Sequence, residues 1–313
     1  MGDARDDVSA AVPEITSIGS GLADRLPRKR SLRSASEKRL ARRSPLRRLR
    51  ARVRRVWPTR ARRRRLWKGF RRQPVHAQIG SALAAAVLIW AVANAAYQVW
   101  RKPTELFFPL SAALDKTPAA TWSAYSPLFR RHGTQVITAE FLAALAQVEG
   151  SGNPVVRTYW RWSWVPEPFE LYRPASSAVG MYQFTDGTFE QAKHYCIHDH
   201  AVVEEGPWYA WRSCWFNELY FRVVPSHAIE LTSAYLDRTV ATTLARNGRR
   251  STSLALKQRL AAVIHLCGPS AGERFVRGGF ALGTERCGDH GARDYVLRVE
   301  RMRAVFEALA LEG

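Results

Sequence analysis

The chain has 313 residues, 46% of them hydrophobic, with 11 Trp, 10 Tyr and 13 Phe, which is enough apolar material for at least one real core. Its net charge of +21 is unevenly placed: residues 1–77 hold 24 Lys+Arg against 6 Asp+Glu, residues 78–100 hold no charge, and residues 101–313 hold 24 against 21. The basic excess belongs to a tail, which excludes a folded part built to grip nucleic acid along its surface.

In chain order, residues 1–77 are rich in Arg, Ser and Pro, with blocks such as RRSPLRRLRARVRR that repel themselves and bury little. They are expected to be a disordered cytoplasmic tail leaning on anionic lipid heads, with nucleic-acid binding as the competing role. Residues 78–100, QIGSALAAAVLIWAVANAAYQVW, meet the roughly 20-residue requirement for a transmembrane helix, and Tyr97 and Trp100 sit where an interfacial aromatic belt belongs. Lys and Arg number eight in residues 57–77 against three in 101–120, which puts the N-terminus inside and the C-terminal part outside. The alternative is a cleaved signal, with Ile79 to Val92 as its apolar stretch and Ala93-Asn94-Ala95 as the small-x-small site. Residues 101–117 read as a juxtamembrane connector, and residues 118–313 as an α-rich domain with long loops.

Within that domain a first helix is expected over WSAYSPLFRRH, stopped at Gly133, and a second after Thr138 as N-cap, with Glu140 in the first turn. A third carries Ile229, Ser233, Leu236, Val240 and Leu244 at helical spacing, and another runs through LALKQRLAAVIHLC. The last presents Tyr295, Val299, Met302, Phe306 and Leu309 on one face. Alternating strand patterns are scarce.

All four cysteines, Cys196, Cys214, Cys267 and Cys287, fall on the side expected to be exported, where disulfides persist. Four cysteines allow three connectivities; Cys196 with Cys214 and Cys267 with Cys287 are favoured because each pair brackets one loop-rich stretch. The metal alternative is HYCIHDH, offering His194, Cys196, His198 and His200, but ligand types at every second position depart from zinc spacing, and no metal is expected.

The residue that asks for an explanation is Glu149. Leu142, Leu145, Ala146 and Glu149 fall on one face of the second helix, so a carboxylate closes an apolar stripe just before Gly150, Gly152 and Pro154 stop the helix. Burial and the negative end of the helix dipole both disfavour its charged form and should raise its pKa, which suits a general acid. The plain alternative is a Glu that frays into solvent or pairs with an Arg. Downstream, RTYWRWSWVPEPFELYRP is dense in aromatics. Tyr159, Trp160, Trp162, Trp164, Phe169 and Tyr172 could stack on sugars, fill a core or touch a bilayer.

Four short motifs follow in order: Glu149-Gly150-Ser151-Gly152-Asn153-Pro154, Gly180-Met181-Tyr182-Gln183, Ile264-His265-Leu266-Cys267-Gly268-Pro269, and Tyr295-Val296. On these, residues 118 to 306 resemble the catalytic domain of the soluble lytic transglycosylases, a lysozyme-like, mainly helical fold that cuts peptidoglycan strands. The resemblance implies Glu149 as the catalytic acid, and Gln183, Tyr182, Met181, Gly180, Ser151, His265 and Tyr295 as residues meeting the substrate, with no cofactor. Read without it, Gln183 could equally make a capping or core hydrogen bond, Tyr295 could be core, and Asp186 reads as an N-cap for the next helix. Three features depart from the family: glycine at 150 where serine is usual, Leu266 where it has asparagine, and an unusually long interval from Glu149 to Gly180.

Ordinary glycosidases use two carboxylates, and Glu167, Glu170, Asp186 and Glu190 show no persuasive placement as a second. The resemblance implies a route with one glutamate that leaves a 1,6-anhydro sugar. The expectation is a bacterial inner-membrane enzyme with its catalytic domain in the periplasm, whose partners are peptidoglycan strands, inner-membrane lipids and possible envelope machinery. The competing functions are a hydrolytic muramidase and a non-catalytic peptidoglycan binder.

Overall fold

Helices begin where the sequence supplies a capping oxygen. In the computed structural model, which describes residues 59–107 and 110–312, Thr117, Thr138, Thr185 and Ser253 each accept a hydrogen bond from the backbone N–H three residues on. Each satisfies a donor that a first turn leaves unpaired. The α-helices are α1 (Arg60–Arg71), α2 (Val75–Arg101), α3 (Pro118–His132), α4 (Ala139–Gly150), α5 (Asp186–Ala192), α6 (Pro225–Arg246), α7 (Leu254–Cys267), α8 (Pro269–Arg277) and α9 (Ala292–Glu312). The chain is mostly helical. It divides into two units, one ending at Ala82 and one beginning at Leu83.

In the first unit α1 is capped by Thr59 and buries none of its residues. Part of the tail expected to be disordered is therefore helical; the rest of it, residues 1–58, lies outside the described residues. The helix α2 is long and apolar enough to cross a membrane and extends a few residues beyond the expected 78–100.

In the second unit α4 is the central helix. Phe141, Leu142, Ala143, Ala144, Leu145 and Ala146 are all buried, because three alanines let neighbouring helices approach closely. It packs chiefly on α9 and α3, while α7 lies against α6, α8 and α9. The apolar faces read from the sequence are the faces that pack: Ile229, Ser233, Leu236, Val240 and Leu244 of α6 are buried, as are Tyr295, Val299 and Phe306 of α9, with Met302 and Leu309 at the core's edge. Gly133 ends α3, as expected.

Strands are the part the pattern hid. Three antiparallel hairpins pair β1 (Trp160–Trp162) with β2 (Tyr172–Pro174), β3 (Tyr195–His198) with β4 (Ala201–Glu204), and β5 (Arg286–Cys287) with β6 (His290–Gly291). None exceeds four residues, too short to write an alternation. Disulfides join Cys196 to Cys214 and Cys267 to Cys287, the two pairs favoured above. The first ties β3 to the turn of 3-10 helix at Cys214–Leu219, and the second ties the end of α7 to β5.

The connector 101–117 is not loose. It forms short 3-10 helices at Pro103–Phe107 and Ser111–Leu114. The loop after α4 is fastened to it: the fully buried Asn153 donates through Nδ2 to Ser111 O (2.5 Å) and Asp115 Oδ1 (2.8 Å), and the Lys116 N–H reaches Ser151 O at 2.8 Å.

Candidate active site

Glu149 stands in the last turn of α4, and three elements converge on it. Ser151, in the left-handed conformation with φ 49°, caps α4 by donating its N–H to Gln147 O (3.0 Å), and Gly152 N–H reaches back to Ala146 O (3.0 Å). This Schellman-type stop leaves the Glu149 side chain only 16% exposed and aimed at α7 and α9. From α9 the buried Tyr295 donates its phenolic O–H to Glu149 Oε1. From α7 His265 Nε2 lies 3.5 Å from the same oxygen, with its own side chain 8% exposed.

These partners overturn the expectation that Glu149 titrates high. Burial does push its carboxyl up, but hydrogen bonding to and charge on His265, the Tyr295 hydroxyl and the charge of His290 together outweigh it. The carboxyl lies below its ordinary value, so Glu149 rests as the anion. Tyr295 moves the other way: burial and then the neighbouring Glu149 charge hold its phenol well above the usual value, and it stays a donor.

A cleft of about 360 Å³ is lined among others by Gln183, Thr188, Gln191, Tyr235, His265 and Leu266. His265 thus belongs both to this cleft and to the surroundings of Glu149, and Leu266, the departure noted in the sequence, gives the wall an apolar patch. A second cavity, of about 300 Å³, lies by Lys102, Arg173 and Arg222. Its cations are already committed, Lys102 to Glu105 and the Ala178 carbonyl, Arg173 to Glu170 and Arg222 to Asp186, so it makes a poor anion receptor.

The second motif needs correcting. Met181 and Tyr182 were expected to meet the substrate, yet both are fully buried in the core, and Tyr182 O–H donates to Leu142 O at 3.2 Å on α4. Gly180 is buried too. Its φ of 81° and the space where a side chain would stand, 2.4 Å from Arg222 O, admit only glycine. Gln183 does line the cleft, but its Nε2 donates to Gly180 O (2.9 Å) and Val156 O (3.3 Å), the capping use weighed above. The motif is a turn that braces α4 from behind, with only Gln183 at the cleft.

The same turn explains the missing serine at 150. A Cβ on Gly150 already stands 2.7 Å from Val156 Cγ1 and 3.0 Å from the Met181 backbone, so the turn closes on the helix too tightly for a larger residue. Asp186 is not the N-cap of α5: Thr185 is, and Asp186 is the first helical residue, paired with Arg222 at 2.8 Å. None of the four other acids joins Glu149. Glu170 pairs with Arg101 and Arg173, Glu190 pairs with Lys193, Asp186 with Arg222, and Glu167 is exposed.

The aromatic stretch does not form a wall over this cleft. It folds as the β1–β2 hairpin against the C-terminal half of α2, where Trp162 stacks on Trp90 with ring centres 6.0 Å apart. Tyr159 alone turns toward the Glu149 side, its O–H 3.1 Å from Asp289 Oδ2 next to His290. His290 is a residue the sequence reading missed. The signal was available, because pairing Cys267 with Cys287 carries Asp289 and His290 to the end of α7, two residues beyond His265.

The HYCIHDH segment is divided among separate tasks. Cys196 is in its disulfide, His194 Nδ1 meets Glu205 Oε2 at 2.6 Å, and His200 Nδ1 meets Gly133 O at 2.8 Å. Among the described residues no three His, Cys, Asp or Glu are grouped to hold a metal ion. Compared with protein-family models, curated proteins and solved structures, the chain matches none.

Proposed function

We propose that the chain is a membrane-anchored lytic transglycosylase of lysozyme-like fold, cleaving the β-1,4 bond between MurNAc and GlcNAc with Glu149 as its acid and base. The observation that carries this reading is a single inward carboxylate at a helix end, bonded by Tyr295 and faced by a histidine that also lines a cleft. Gln183 of the second motif and His265, Leu266, Gly268 and Pro269 of the third line that cleft.

The acid form of Glu149 arises when a glycan fills the cleft: sugar displacing water strengthens the burial contribution, which favours the neutral carboxyl. The carboxylic acid then gives its proton to the glycosidic oxygen as the C1–O bond breaks, and the substrate's N-acetyl oxygen stabilises the cation at C1. The carboxylate takes the proton from the sugar's own 6-hydroxyl, O6 bonds to C1, and Glu149 ends protonated again, the first proton having left on the glycosidic oxygen. An attached nucleophile gains from proximity, so no second carboxylate is required. Tyr295 holds the carboxylate between the two proton transfers.

With α2 as the span and the basic segment before it inside, the domain lies outside the cytoplasmic membrane, where its two disulfides are stable. The test is product analysis on purified glycan strands with the full chain and with Glu149→Gln. Anhydro ends from the first and none from the second are expected. Reducing ends would make it a muramidase, binding without cleavage a non-catalytic binder, and unchanged turnover by Glu149→Gln would remove Glu149 from the chemistry.

A further inference from the structure

In the C-terminal half of α2 one face carries polar side chains at a regular interval. Trp90, Asn94 and Gln98 recur every fourth residue on one face, and Arg101 continues it. Each meets the β1–β2 hairpin: Trp90 Nε1–H donates to Pro168 O (2.8 Å), Asn94 Nδ2 to Tyr172 O (2.8 Å) and Gln98 Nε2 to Phe169 O (2.6 Å), while Arg101 pairs with Glu170. Asn94 and Gln98 are buried by these contacts although the rest of the helix is largely exposed. The hairpin is fixed along the last three turns of the one helix among the described residues suited to a bilayer.

Its direction is also fixed. Arg157 pairs with Glu105 at 2.8 Å, just past the end of α2. Trp160 shares an apolar cavity with Ala95 and Val99, and Trp162 stacks on Trp90. From Arg157 to Trp162 the chain therefore runs back along α2 as far as Trp90, and there the tip leaves Trp164 99% exposed and Trp162 66% exposed.

Length decides what surrounds that tip. At about 1.5 Å per residue, Val75 to Ile89 supply roughly 22 Å, short of the ~30 Å hydrocarbon core. Arg71 and Arg72 prevent extension on the other side. If the bilayer stopped where the hairpin begins, α2 could not span it. The residues beside Trp90 must lie at membrane depth, and the hairpin with them.

We propose that the β1–β2 hairpin is a membrane foot whose aromatics, Trp162 and Trp164 foremost, lie at the boundary between lipid headgroups and acyl chains in the leaflet that the C-terminal half of α2 crosses. The proposal rests on the reading that α2 spans the bilayer. The chemistry fits that boundary and neither side of it. Tryptophan prefers it, having an apolar body and one donor. The carbonyls of Pro168, Phe169 and Tyr172 are already bonded, as a low-dielectric setting requires. The exposed Arg161 and Glu167 bar deeper insertion and can reach headgroups.

The test uses the full chain in phosphatidylethanolamine and phosphatidylglycerol vesicles, with the photoreactive p-benzoylphenylalanine placed singly at Trp164, Val87 or Trp208. Val87 reports on the span and Trp208 is an exposed aromatic elsewhere on the domain. Expected are lipid adducts from positions 164 and 87, well above those from 208. Labelling at 87 without labelling at 164 overturns the foot and leaves the span standing. No labelling at 87 removes the span, and the foot falls with it. Equal labelling at 164 and 208 also overturns it, since lipid contact would not be particular to the hairpin. Trp164 touches so little that its replacement leaves the fold intact, and folding is checked by thermal unfolding of each variant.

Discussion

The molecule holds two inward glutamates in nearly the same company. Glu149 on α4 accepts from Tyr295 and faces His265 at 3.5 Å; Glu230 on α6 accepts from Tyr220 at 2.9 Å and faces His132 at 3.7 Å. Each has a disulfide close by, Cys267–Cys287 for the first and Cys196–Cys214 for the second. The difference is the remaining contact. The Glu230 carboxylate takes the backbone N–H of Ile197 at 3.1 Å, which ties β3 to α6, whereas the histidine facing Glu149 opens on a cleft. The same three residue types make a fastener where a backbone donor closes the set, and a site that can exchange protons where the set stays open. A carboxylate's neighbours of like kind say little about its use until the third contact is known.

The largest effect expected from this contrast is on turnover. Glu149→Gln keeps the shape and the Tyr295 contact but removes the transferable proton, and cleavage of glycan strands should fall by about 10²–10⁴-fold, the worth of general acid–base catalysis. Thermal unfolding should change little. Glu230→Gln, measured beside it, should cleave at close to the parent rate per folded molecule; a large loss there would erase the distinction between the two sites.

Stability should show the reverse order. Glu230→Ala leaves the Ile197 N–H and the Tyr220 hydroxyl without their buried acceptor, a loss of about 3 kcal/mol, near 6–12 °C in unfolding temperature for a domain of this size. A drop of similar size for Glu149→Ala alone would mean that Glu149 too is chiefly a fastener. Breaking the Cys196–Cys214 bridge by Cys196→Ser and Cys214→Ser together should cost about 3 kcal/mol on loop-closure grounds, additive only in part with Glu230→Ala because both act on β3.

What could be read without coordinates follows the same division. The inward stripe of α4, its Thr138 cap, the faces of α6 and α9 and both cysteine pairs were legible, because helical period and bracketing spacing write themselves over many residues. The roles of Met181, Tyr182 and Gln183 were not. They depend on a tight turn whose contacts, with Leu142, Val156 and Arg222, come from three other places in the chain. Nor was the direction of the Glu149 titration, since it depends on His265 and His290 arriving from residues more than a hundred positions away. The bond between the aromatic stretch and α2 was hidden for a further reason: the donors, Trp90, Asn94 and Gln98, sit inside an apolar run and read there as minor interruptions.

That distant histidine supplies the next prediction. In the parent the folded-state carboxyl of Glu149 lies below its ordinary value, so it contributes stability above the unfolded value and loses it as pH falls through the folded one. In His265→Ala the hydrogen bond and charge are gone, burial becomes the main influence, and the carboxyl should move above its ordinary value. The sign then inverts: the contribution of Glu149 to stability falls as pH rises between the unfolded and folded values. Unfolding measured across mildly acid pH separates the two slopes. If cleavage uses the protonated acid, the high-pH limb of kcat/KM should shift upward in the same variant. An unmoved profile would mean that His265 does not set the charge of Glu149.

Tyr295→Phe should give the smallest response, and its size relative to His265→Ala is the useful quantity. It removes a hydrogen bond that lowers the Glu149 carboxyl but leaves His265 in place, and the ring still fills its position on α9. The carboxyl should rise less than it does in His265→Ala, and stability should fall by about 1.5–3 kcal/mol for a bond to a charged acceptor. Turnover should decline through placement of the carboxylate while the product stays the same. Tyr220→Phe is the matched change at the other glutamate, where Ile197 still holds Glu230, and it should leave turnover untouched. A titration shift in Tyr295→Phe as large as that in His265→Ala would make the tyrosine, and not the histidine, the partner that sets the charge of Glu149.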